Sequence, residues 1–63
     1  MKVVKKFVVY DIENQKYFEG NGYWYISDIH AFGFKTRNEA FDFIRKQAQG
    51  RYKIESFFEV TNE

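Results

Sequence analysis

The sequence predicts an α+β domain in which one helix covers one face of a three- or four-stranded, mainly antiparallel sheet. Three observations predict it: Val-rich or aromatic segments with strand character near both ends of the chain, a Gly-Asn-Gly turn, and one capped amphipathic segment. The expected element order is β-β-(β)-α-β, and residues 1–63 should form a single small domain.

The first two strands are predicted from a Val-rich segment and the polar stretch after it. Residues 2–10 alternate as a strand, with apolar side chains on both faces, so we expect part of it to be covered on both sides. Residues 11–15 contain Asp and Asn and favour a hairpin loop, after which residues 16–19 return as the second strand.

A glycine-rich turn introduces the third strand. Gly20-Asn21-Gly22 is the strongest turn signal, because Gly and Asn tolerate positive φ, and Tyr23 to Ile26 follows as a short strand. Two interpretations of residues 27–33 stay open. Ser27 or Asp28 caps a single helical turn, or the stretch is an irregular connection.

The helix is predicted to run from about Arg37 to Gln49. Thr36-Arg37-Asn38-Glu39 matches a capping box, and Gly50 is placed to end the helix as its C′ residue. A spacing of 100° per residue places four apolar residues on one stripe, with Phe43 at its edge. The stripe consists of Ala40, Phe41, Ile44 and Ala48.

The closing strand is predicted over Tyr52 to Val60. Its apolar and charged residues alternate, which assigns Ile54, Phe58 and Val60 to the core face and Lys53 to the opposite face.

Composition excludes several kinds of site and cellular setting. The chain has no Cys and one His, so disulfides, thiolate zinc sites and a cysteine nucleophile are ruled out. The net charge of +1 lacks the basic excess of proteins that coat duplex DNA. No apolar run approaches about 18 residues, so we expect no membrane contact. A chain of this kind is expected in the cytoplasm.

No set of residues predicts catalysis. His30 lacks a second His or a Cys with which to share a metal, and a surface or structural role suits it better. The carboxylates of the loops have no spacing that predicts a pair across a cleft. We therefore expect a non-enzymatic protein without catalytic residues, metal or cofactor.

The aromatic side chains left outside the core are the candidate binding residues. A single helix covers one face of the sheet, so if Trp24 is buried, Tyr23 and Tyr25 face outward on the same side as either Tyr17 or Phe18. The candidate binding residues are Tyr17, Tyr23 and Tyr25. Three interpretations stay open. The rings stabilise the sheet as cross-strand pairs, form the hot spot of a protein interface, or stack on single-stranded bases.

Basic residues around the helix extend the candidate site. They are Lys35, Arg37, Arg45 and Lys46. An anionic partner and an ordinary solvated helix face are both consistent with them. An exposed strand at the edge of so small a sheet also predicts self-association as a homodimer.

The motifs together resemble those of small proteins from tailed bacteriophages and prophages. The resemblance covers about residues 3–60 and rests on Lys16-Tyr17-Phe18, Gly22-Tyr23-Trp24, the segment from Asp28 to Phe34, and Thr36 to Ala40. It implies a phage accessory protein that binds and modulates, by inhibition, a host or anti-phage defence protein in the host cytoplasm. The alternative is a small protein that binds RNA or single-stranded DNA through its aromatic and basic residues.

Overall fold

A four-stranded antiparallel sheet with one helix forms the structure, a computed structural model that describes residues 1–47 and 49–62. The chain order is β1 (Lys2–Asp11), β2 (Lys16–Gly20), β3 (Tyr23–Tyr25), α1 (Arg37–Arg45) and β4 (Tyr52–Thr61). The strands lie in the order β3-β2-β1-β4, and all neighbours are antiparallel. The predicted α+β fold is confirmed.

The pairing of β1 with β4 is the longest in the sheet. It runs without interruption from Lys2 opposite Thr61 to Asp11 opposite Tyr52. β1 is an inner strand, and both Val8 and Val9 are buried although they point to opposite faces. The expectation that this strand is covered on both sides is confirmed there.

The two hairpin turns are explained by side-chain hydrogen bonds in the first and by backbone conformation in the second. The buried Asp11 accepts hydrogen bonds from the backbone N–H groups of Glu13 (3.0 Å) and Asn14 (3.2 Å), which folds the loop before β2. In the second hairpin Asn21 and Gly22 have φ values of 53° and 80°. Two positive φ values are what a two-residue type I′ turn requires.

An aromatic core lies between the sheet and α1. Val9, Phe18 and Ala40 form its buried centre. Partly buried apolar residues surround that centre, namely Phe7, Trp24, Phe34, Phe43, Ile44, Tyr52 and Ile54.

The helix begins as predicted but ends earlier. Thr36 Oγ1 accepts a hydrogen bond from the Glu39 N–H at 3.1 Å, which confirms the cap. The predicted end at Gln49 is wrong. The N–H groups of Lys46 and Gln47 each bond the carbonyl three residues back, at 3.1 and 3.0 Å, so the helix tightens and ends at Arg45. Ala48, assigned to the apolar stripe, lies outside the described residues.

Phe41 and Phe43 exchange their predicted positions. Phe41 was expected in the core stripe, but its side chain is 53% exposed. Phe43 instead packs on Phe18, with ring centroids 4.2 Å apart. The reason is that Ala40 is the helix residue buried in the core, and this rotation of the helix turns Phe41 toward solvent and Phe43 inward.

The end of β4 also departs from the prediction. Phe58 and Val60 lie on the same face as Ile54, as the alternation predicted, but they are 69% and 58% exposed. The long β1–β4 pair extends past the short α1, so no helix covers these residues.

The connection over 27–33 contains no helix and is irregular.

The exchange of the two phenylalanines is open to a direct test. We expect Phe43→Ala to lower the free energy of unfolding by about 3 kcal/mol, because it removes a ring from the aromatic core. Phe41→Ala should cost below about 1 kcal/mol, since that ring is half exposed. Urea unfolding of both variants measures the difference, and equal costs would contradict the observed rotation of the helix.

Candidate interaction surface

A row of side chains crosses all four strands on the face of the sheet away from α1. Tyr10 lies opposite Lys53 on β4 and opposite Tyr17 on β2, and Tyr17 lies opposite Tyr25 on β3. Directly opposed residues share a face of the sheet, so these four side chains form one line. We call them the tyrosine row.

Close contacts order the inner half of the tyrosine row. The rings of Tyr10 and Tyr17 have centroids 4.7 Å apart and are tilted by 56°. Lys53 Nζ lies 5.1 Å from the Tyr10 centroid, within the range of a cation–π interaction. Tyr25, at the outer end, is 54% exposed and leaves its ring available to a partner.

Glu55 connects the tyrosine row through polar contacts. Its Oε1 atom accepts a hydrogen bond from the Tyr17 hydroxyl at 3.2 Å, and its Oε2 atom lies 3.0 Å from Lys53 Nζ. Burial and then the Glu55 carboxylate raise the pKa of Tyr17 above its ordinary value of 10.0. The hydrogen bond to Glu55 likewise raises the pKa of Lys53.

The irregular connection borders this surface. Asp28 and Ile29 line a cavity of about 300 Å³ together with Val8 and Glu55. The negative charge of Asp28 is close enough to contribute to the raised pKa of Tyr17. The tyrosine row is therefore bordered by the Asp28 carboxylate and by the ion pair of Glu55 with Lys53.

The predicted tyrosines belong to the surface, but the predicted basic residues do not. Tyr17 and Tyr25 are adjacent in the tyrosine row, and Tyr23 is 69% exposed on the same strand as Tyr25. The four basic residues lie at or next to the ends of α1, on the other side of the sheet.

Local contacts account for these basic residues. The Arg37 guanidinium lies 5.3 Å from the Phe7 ring centroid, and the Lys35 N–H donates to Glu39. Arg45 pairs with Asp42 at 3.5 Å, while Lys46 caps the helix. A solvated helix face explains this set better than a single anion-binding patch.

Sequence reasoning missed Tyr10, Lys53 and Glu55 as members of the site. Lys53 and Glu55 lie on the face that the alternation of the closing strand assigned to solvent. Their meeting with Tyr10 depends on the β1–β4 register, which joins residues far apart in the chain and has no local signal.

Within residues 1–47 and 49–62, no group of three or more His, Asp or Glu side chains is placed to hold a metal ion. His30 is exposed. In the same residues, no helix has the length and apolar character needed to cross a membrane.

Comparison with protein-family models, with curated proteins and with solved structures gives no match.

The contact between Tyr17 and Glu55 predicts a loss of stability in alkali. The folded protein holds Tyr17 protonated to a higher pH than the unfolded chain does. The contribution of Tyr17 to the free energy of unfolding is therefore intact below pH 10.0 and is lost as the pH rises through the raised pKa of its hydroxyl. Urea unfolding between about pH 9 and about pH 11 should show a shallower decline for Tyr17→Phe than for the natural chain.

Glu55→Gln provides the matched variant, because it removes the carboxylate and keeps the shape of the side chain. It should also flatten the alkaline decline in part, because burial still raises the pKa of Tyr17, but the Glu55 carboxylate no longer raises the pKa of Tyr17 or of Lys53. An unchanged slope in both variants would show that this contact does not hold the Tyr17 proton.

Proposed function

We propose that this chain is a non-enzymatic protein-binding module whose tyrosine row contacts a basic surface of a partner protein. The observation that supports this most is the alignment of Tyr10, Tyr17 and Tyr25 across the helix-free face. Tyr is among the residues that dominate binding energy at protein interfaces, because its ring combines apolar area with a polar hydroxyl.

The exposure of the outer rings supports direct contact with a partner. Tyr25 and Tyr23 are 54% and 69% exposed, while Trp24 between them packs into the core. β3 is anchored by Trp24, so the two tyrosines are presented on a fixed strand. A partner that covers them loses little conformational entropy in ordering them.

Charge favours a partner with Arg or Lys side chains. Glu55 and Asp28 place carboxylates beside Tyr17, and an Arg guanidinium can pair with a carboxylate while stacking on a tyrosine ring. Lys53 already shows this combination within the chain, since it contacts both Glu55 and Tyr10.

The resemblance to phage accessory proteins supplies the biological setting of the proposal. On that basis the partner is a host or anti-phage defence protein of the bacterial cytoplasm, and binding inhibits it. The tyrosine row provides a means of attachment that requires no chemistry by this chain.

A small RNA or single-stranded DNA binder is the second candidate. Aromatic side chains in a line across a sheet are a common platform for stacked bases. The Asp28 carboxylate weighs against it, because it repels phosphates at a surface where Lys53 is already paired with Glu55. Binding of this kind would weaken steeply with added salt and would be lost on nuclease treatment of a lysate.

The proposal predicts that Tyr23→Ala/Tyr25→Ala abolishes partner capture without unfolding the chain. The tagged chain is used to capture proteins from bacterial lysate with and without nuclease, and the recovered partner is then purified. We expect the double variant to weaken its binding by about 30-fold or more, which corresponds to loss of a hot spot.

Ile26→Ala is the matched control, because Ile26 is as exposed as Tyr23 and follows β3 directly. It should bind the partner normally, and circular dichroism should show folded protein for all variants. Capture that is lost on nuclease treatment would favour the nucleic-acid candidate. Equal binding by both variants would place the partner site elsewhere.

A further inference from the structure

The outer edge of β4 is long and apolar. In the described part of the sheet β4 pairs with β1 alone, and its ten residues form a continuous edge strand. Phe58 and Val60 are well exposed on the face that carries α1. Free edge strands of this length commonly pair with another strand, because their outward N–H and C=O groups lack partners in the sheet.

The alternation of backbone hydrogen bonds along β1 shows which N–H and C=O groups of β4 point away from the sheet. Phe7 exchanges two backbone hydrogen bonds with Phe34, at 2.9 and 2.7 Å, on the side of β1 away from β4. Backbone groups alternate along a strand, so the even-numbered residues of β1 bond the odd-numbered residues of β4. The outward groups of β4 therefore belong to its even-numbered residues, namely Tyr52, Ile54, Ser56, Phe58 and Val60.

An apolar groove lies beside this edge. It has a volume of about 580 Å³ and opens between α1 and β4. Its lining includes Phe41 and Ile44 from the helix and Ile54 from the strand. The half-exposed Phe41 is thus explained as one wall of a groove rather than as part of the core.

We propose that a second copy of this chain binds along β4, with Ser56 of each copy at the two-fold axis. Antiparallel pairing about Ser56 sets Ile54 opposite Phe58 and Tyr52 opposite Val60 on the helix face. These are the residues whose backbone groups point outward, so the same pairs exchange the hydrogen bonds. The two four-stranded sheets become one continuous sheet.

Charge selects this register. On the opposite face, pairing about Ser56 places Lys53 against Glu59 of the second copy, which is a favourable cross-strand pair. If the axis lies at Phe57 instead, the same outward backbone groups can still bond each other, but Glu55 faces Glu59 of the second copy. Like charges directly opposite are destabilising. The sequence of β4 is therefore complementary to itself in one register that uses nearly its full length.

The same register gives the groove an occupant. Phe58 of the second copy stands next to Ile54 on the helix face, at the open side of the groove beside Phe41. Each α1 contacts both β1 and β4 of its own copy, so pairing of the two β4 strands brings the two helices and their grooves toward the two-fold axis.

The dimer leaves the tyrosines of the proposed partner site uncovered, although Lys53 of the tyrosine row also lies on the strand that pairs. The second copy extends the sheet beyond β4, while Tyr17, Tyr23 and Tyr25 lie on β2 and β3 near the other edge. Both surfaces can be occupied together, and each copy presents one set of tyrosines.

Sedimentation equilibrium of the natural chain at about 0.5 mM should give twice the chain mass of 7.7 kDa. Phe58→Glu should raise the dissociation constant at least about 30-fold, because it places a charge in an apolar pair on both sides of the axis. Ile26→Glu is the matched control, since Ile26 and Phe58 are equally exposed. A monomeric natural chain, or a Phe58→Glu dimer of unchanged affinity, would overturn the proposal.

A single introduced cysteine tests the register. Hydrogen-bonded pairs across antiparallel strands have Cα atoms about 5.5 Å apart, which is within the range that a disulfide spans. The chain contains no other Cys, so Ser56→Cys should form a covalent dimer rapidly under mild oxidation, while Ile26→Cys should stay largely monomeric. Equal cross-linking of the two variants would rule out a two-fold axis at Ser56.

Discussion

The ring of Phe18 makes the contacts on which the other elements of the fold depend. It is buried on β2, and its centroid lies 5.3 Å from that of Trp24 on β3 and 4.2 Å from that of Phe43 on α1. It also contacts Phe32 and Phe34, and Phe34 pairs with Phe7 on β1. A 63-residue chain without Cys has no disulfide to replace these contacts, so the rings supply the apolar area that a small core needs.

The parts of the fold that follow from neighbouring residues were predictable. The Thr36 cap and the Asn21-Gly22 turn are local in sequence, and both are present as expected. The parts that depend on distant residues were not. The helix was predicted too long, and Phe41 was assigned to the core, because the position of α1 on the sheet is set by Ala40 packing against Val9 and Phe18.

The candidate site shows the same division. Alternation within one strand was enough to predict that Tyr23 and Tyr25 face away from Trp24. The grouping of Tyr17 with Tyr10 and Glu55 required the registers of two strand pairs. The basic residues were predicted as a site from their charge, and contacts such as that of Arg37 with Phe7 place them around α1, away from the tyrosine row.

The pairing of β1 with β4 determines when the chain can fold. Residues 2 and 61 are opposite each other, so the inner strand of the sheet gains its longest partner only from the far end of the domain. Contacts between such distant residues slow folding, because a large loop must close before they form. During synthesis β1 leaves the ribosome before β4, so the valines of β1 stay exposed to solvent until β4 has been made. Chaperones bind exposed apolar segments of this kind.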